Sequence, residues 1–134
     1  MEKMNIPSVK CKIEIFSSVN PSEDPDKVES AVLNIFPNCK TKIEKFSIEG
    51  YSNDLHSLEK IYEAIHSMQS QRIYRRMLQK NLEDNTTWFY LNKQAAFAKK
   101  IAICEKSDES PLGPIKIILT SANVDRIIDW LILE

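Results

Sequence analysis

Asn85-Thr86-Thr87-Trp88-Phe89-Tyr90-Leu91-Asn92-Lys93-Gln94-Ala95-Ala96 joins three consecutive aromatics to a polar Asn-Lys-Gln triplet without a gap. Side chains alternate across a strand, so residues 86–91 read as one. Thr86, Trp88 and Tyr90 then share one face, and Thr87, Phe89 and Leu91 the other. A core strand buried on both sides accounts for the aromatics most simply, because aromatic residues favour packed strands. Trp88 or Tyr90 would stack on bases only if one sheet face were open. The triplet fits packing less well and reads as a turn, with a continuous strand as the alternative.

Upstream lies a helical pattern starting near Asp54, with Leu55, Leu58, Ile61, Ile65 and Met68 as its apolar stripe. Ser67-Met68-Gln69-Ser70 is a weak helix former and predicts a break. A second helical segment runs from Gln71 to about Leu82. Arg72, Arg75, Arg76, Gln79 and Lys80 fall on one of its faces by their three- and four-residue offsets. Downstream, residues 97–104 read as a further strand and residues 105–110 as a polar loop. Ser110-Pro111-Leu112-Gly113-Pro114 is a rigid turn, since two prolines fix the backbone around a glycine. Ile115, Ile117 and Leu119 begin a last strand. Val124, Ile127, Ile128, Leu131 and Ile132 stripe a last helix, capped by Ser121 or Asn123.

Toward the beginning, residues 9–17 alternate as a half-buried strand. Asp24 is placed to cap a helix with Pro25 at its first position and Val28, Ala31, Val32, Ile35 and Phe36 on its inner side. Residues 39–46 and 47–52 read as two short paired strands. The resulting order is β-α-β-β-α-α-β-β-β-α, without regular βαβ alternation. It predicts a single α+β domain over residues 1–134, with a mainly antiparallel sheet and helices on one face.

The chain has 134 residues, 43% hydrophobic and 28% charged, with a net charge of −1. That is ordinary globular composition and not a globally basic binder. The charge is unevenly spread: residues 72–100 hold seven cations against Glu83 and Asp84, a net of +5. Such a basic region can attract a polyanion. No apolar run follows Met1-Glu2-Lys3-Met4-Asn5, so no signal peptide is expected, and no stretch is long enough for a membrane span. Cys11, Cys39 and Cys104 are odd in number and widely spaced, as buried thiols of a cytoplasmic protein would be. His56 and His66 are not four residues apart, and two glycines cannot build a phosphate loop. No metal, cofactor or catalytic constellation is expected.

The run from Asn85 to Ala96 resembles the signature of a small archaeal group, Uncharacterised Protein Family 0201. Three further segments carry the same resemblance. One is Pro21-Ser22-Glu23-Asp24-Pro25 with Lys27-Val28, followed by Ala31-Val32-Leu33-Asn34-Ile35-Phe36-Pro37. The others are Glu109-Ser110-Pro111-Leu112-Gly113-Pro114-Ile115 and Ile128-Asp129-Trp130-Leu131. The resemblance implies an α+β fold similar to ribosomal protein L five and a link to RNA. The chain departs from relatives after Gln71-Arg72-Ile73, where they often show an Asp and an Ala-Arg pair. Tyr74-Arg75-Arg76-Met77 stands here and makes the helix more basic.

The leading expectation is therefore a non-enzymatic RNA-binding domain. Arg72, Arg75, Arg76 and Lys80 would contact phosphates, helped by Lys93, Lys99 and Lys100, while Asn92 and Gln94 would supply amide hydrogen bonds. The alternative is a protein-interaction module or homodimer that uses an uncovered sheet face.

Overall fold

Strand β1 (Lys12–Ser18) lies near the centre of a six-stranded sheet in a computed structural model that describes residues 6–133. Residues 1–5, on which the absence of a signal peptide was argued, lie outside the described residues. The other strands are β2 (Lys40–Ile43), β3 (Ser47–Ser52), β4 (Thr86–Leu91), β5 (Ile103–Cys104) and β6 (Ile115–Thr120). Their order across the sheet is β2-β3-β1-β6-β4-β5, and every neighbouring pair is antiparallel.

The period-2 pattern decides which side is covered. Ile13, Ile15, Ile48, Phe89, Leu91, Ile115, Ile117 and Leu119 are buried, and the helices lie over them. Phe16 and Tyr51, on the opposite side, remain 44% and 45% exposed. The core is thus a layer between one sheet face and the helices, as α+β architecture requires. Removing the Phe89 ring from it would cost about 3–5 kcal/mol, since the surroundings collapse only partly around a lost side chain.

Helix α1 (Pro25–Ile35) starts as expected, with the Asp24 carboxylate accepting from the Asp26 N–H. A 3-10 turn (Leu55–Leu58) precedes α2 (Glu59–Ser67). The break before α3 (Gln71–Lys80) is real: Gln69 takes a left-handed φ of 53°, and the Ser70 N–H closes onto the Ile65 carbonyl at 2.9 Å. That is a helix C-terminal motif, which satisfies carbonyls the helix leaves open. Helix α5 (Val124–Leu133) buries the whole apolar stripe expected of it. Among the described residues no helix is long and apolar enough to cross a membrane.

Residues 92–104 fold differently from the expectation. The triplet is not a turn into a long strand. Asn92 caps a short helix, α4 (Lys93–Phe97), and only Ile103–Cys104 pairs with β4. Ala95 and Ala96 are strong helix formers, and the Asn92 side chain satisfies the Ala95 N–H at 2.9 Å. Tertiary pairing then reduces the expected strand to two residues.

Candidate nucleic-acid interface

Helix α3 has two unlike sides. Tyr74, Met77 and Leu78 are buried against β4 and α5. The Tyr74 ring meets Phe89 edge-on, with centroids 5.7 Å apart. The Thr87 hydroxyl donates to the Leu78 carbonyl at 2.6 Å, and the Asn81 amide donates to the Trp88 carbonyl at 2.9 Å. These contacts run α3 antiparallel along β4 and fix its rotation. Arg72, Arg75, Arg76 and Lys80 are consequently turned outward, and all four are exposed. Arg76 pairs with Glu105, just beyond β5; both side chains stay about half in solvent. Such a pair is weak and easily exchanged.

Lys99 and Lys100 are also exposed. They precede Ile101, Ala102 and Ile103, which share a shallow groove of about 170 Å³ with Ser70 and Tyr74 at the start of α3. The segment after them thus passes the start of α3 on its Tyr74 side. Gln94 is exposed on α4, which packs chiefly on α1.

Lys93 does not belong to any surface. It is 0% exposed, and its ammonium reaches the Ser18 and Leu112 carbonyls at 2.8 Å each and the Glu23 carboxylate at 3.0 and 3.2 Å. Those partners occupy all three donors of a lysine. The expectation that Lys93 contacts phosphate is thereby corrected, because no ligand can reach the charge. Asn92 is half-buried, and its side chain is partly engaged by the fold. Its carbonyl caps α4, and its amide points at the Glu109 carbonyl at 3.5 Å.

What sequence reading missed is the knot that Lys93 ties. Leu112 holds a left-handed φ of 65° and Gly113 one of 93°. The Leu112 carbonyl accepts from Lys93, from the Asn20 amide at 2.8 Å and from the Ser18 hydroxyl at 3.3 Å. Glu23 is 6% exposed at its side chain. Burial works against its charge, but hydrogen bonds from the Asn20 backbone and side chain and from Lys93 outweigh it. They hold the carboxyl below the usual carboxylate range. The end of β1, the entry to α1, the start of α4 and the 110–114 turn are thus joined at one buried ion pair. The visible signal was that Glu23, Lys93 and Leu112 all lie in the segments that carry the family resemblance.

A family model described as RNA binding matches residues 12–121. A UPF0201 protein of Methanothermobacter thermautotrophicus is 38% identical, over 90% of this chain and 89% of that protein. Another from Sulfurisphaera tokodaii is 39% identical over 90% and 86%. The crystal structure of the UPF0201 protein from Methanococcus jannaschii superposes with a TM-score of 0.78 at 30% identity, covering 92% of this chain and 93% of that one. A DUF54 protein from Methanothermobacter thermautotrophicus shares the fold, with a TM-score of 0.63 at 15% identity, over 92% and 99%. With the six-stranded sheet, the β4–α4 signature and these matches together, the chain belongs to the archaeal UPF0201 family.

Proposed function

We propose that this protein is a non-enzymatic RNA-binding domain that grips phosphates with the outward face of α3. The observation that carries the reading is the two-sidedness of that helix. Its apolar side is locked onto β4, so Arg72, Arg75, Arg76 and Lys80 are held in one exposed row. A guanidinium offers a planar fork of donors matched to phosphate oxygens. Lys99 and Lys100 add exposed charge outside that row, and Gln94 stands apart from it on α4. The family description as RNA binding supports the same reading. The resemblance also leads us to infer an architecture like that of ribosomal protein L five, which superposition of the strands in sheet order tests.

Titration of a fluorescent RNA across salt concentrations tests the function. Neutralising phosphates releases counterions, so affinity should fall steeply as salt rises. The variant carrying Arg72→Glu, Arg75→Glu and Arg76→Glu should lose binding and keep its melting temperature. A wild-type protein that binds no RNA at low salt ends the proposal. A second reading, self-association through the open sheet face, draws on the exposure of Phe16 and Tyr51. Light scattering at increasing concentration checks it, and a strict monomer excludes it.

A further inference from the structure

The uncovered face of the sheet carries two cross-strand rows of outward side chains. One runs Lys40, Tyr51, Glu14, Ile118, Trp88 from β2 to β4. The other runs Lys42, Glu49, Phe16, Lys116, Tyr90. Two strands, carrying Glu14 and Ile118, stand between the aromatics of the first row, and one, carrying Lys116, between those of the second; each row has a lysine at its β2 end. Neighbouring strands are about 4.8 Å apart, and residues two apart on a strand about 6.7 Å, so the rings form a spaced array.

Between Phe16 and Tyr51 the face sinks into a depression of about 580 Å³. Lys40, Lys42, Glu49 and Glu14 border it, and Ile118 lies at its inner side. Across the sheet, the Lys116 ammonium sits 4.6 Å from the centroid of Trp88, and the Trp88 and Tyr90 rings lie 4.9 Å apart. These aromatic surfaces are in contact with cations and solvent, not with core.

We infer that this face is a stacking platform for a single-stranded segment of RNA, with an unpaired base seated between Phe16 and Tyr51. The inference rests on the RNA-binding reading and adds a second surface to it, on the side of the sheet away from α3. Every base has a π-face, so aromatic rings hold unpaired bases with little regard to sequence. Lys40 and Lys42 meet the flanking phosphates at the β2 edge. Glu14 and Glu49 accept from exocyclic amino groups of the seated base and repel phosphate, which keeps the backbone toward the lysines. With Lys12 on the same face, four lysines stand against three glutamates, since Glu44 pairs with Lys42 at 2.9 Å, and phosphate must displace that exposed carboxylate to reach Lys42. A duplex keeps its bases stacked internally and cannot use the rings.

The experiment compares three proteins: wild type, a Phe16→Ala/Tyr51→Ala variant and the triple arginine variant of α3. The probes are a fluorescent twelve-nucleotide single-stranded RNA and a blunt duplex of equal length. Loss of the two rings should weaken single-strand binding about tenfold or more and leave duplex binding within about twofold. A Phe16→Tyr/Tyr51→Phe variant keeps the rings and should bind as wild type does. Unchanged single-strand affinity in the alanine variant overturns the platform, and if the α3 variant still loses binding the RNA reading survives. Absence of binding by wild type to either probe overturns both. A wild-type dimer that the alanine variant converts to monomer overturns the platform in favour of a second copy of this chain.

Discussion

Two sets of cations stand in one stretch of sequence, and the fold treats them in opposite ways. The arginines of α3 are exposed, weakly paired and arranged by the packing of the helix behind them. Lys93 is sealed, with every donor engaged by groups 19 to 75 positions away. Charge alone does not distinguish them. What does is whether acceptors converge on the side chain, because an unpaired buried ammonium would be prohibitive. One set is available to a ligand, and the other holds the scaffold that presents it.

The largest effect that could break this contrast is expected at Lys93. Lys93→Met removes the charge and leaves the Glu23 carboxylate and the Ser18 carbonyl without their partner. Removing one member of a buried pair costs about 3–5 kcal/mol. Urea denaturation should show that loss, whereas the triple arginine variant should stay within about 0.5 kcal/mol per site, as surface changes do. If Lys93→Met kept full stability and lost RNA, Lys93 would have to be moved to the interface.

Acid unfolding sharpens the same point through the partner. The Glu23 carboxyl is held below its unfolded value, so its contribution is fully present above that value. It disappears as pH falls through the folded one. Glu23→Gln should therefore be less stable than wild type near neutrality, and the two should converge in acid. Parallel stability curves down to the acid transition would show that the pair contributes nothing there.

The turn beneath the knot comes next. Gly113 has a φ of 93°, and a Cβ added there would lie 2.8 Å from the Ser18 hydroxyl oxygen. Gly113→Ala should cost about 1–3 kcal/mol from backbone strain and the displaced hydroxyl. Asn92→Ala should cost about 1 kcal/mol, the worth of a helix cap, and thermal melting resolves both. Gly113→Ala should leave RNA affinity unchanged, since Gly113 lies in the knot and not on the arginine face.

Much of the fold was legible because its signals are local. Strand 86–91 alternates cleanly, Asp24-Pro25 announces a helix start, and the stripe of Val124 to Ile132 has helical period. The five residues of α4 are too few to show a period, so its N-cap Asn92 passed for a turn residue. The arginine face was legible because a helix fixes its own geometry. The burial of Lys93 was not, because Ser18, Glu23 and Leu112 reach it only through the tertiary fold. An open sheet face was expected from the element order, but which side chains stand beside one another on it needed strand order, which no single segment encodes.

The smallest effect bears most directly on the arginine row. Arg76 is tied to Glu105, so under the proposed function an RNA phosphate would have to take the place of that carboxylate. An exposed pair is worth about 0.2–1 kcal/mol. Glu105→Gln should therefore leave stability nearly unchanged and raise RNA affinity about two- to fivefold, since a factor of ten corresponds to about 1.4 kcal/mol. The gain should vanish when Arg76→Ala is added, because no competition then remains to be relieved. A gain that persisted in the double variant would be a general effect of removing negative charge. No gain at all would place Arg76 outside the contact and leave Arg72, Arg75 and Lys80 to make it.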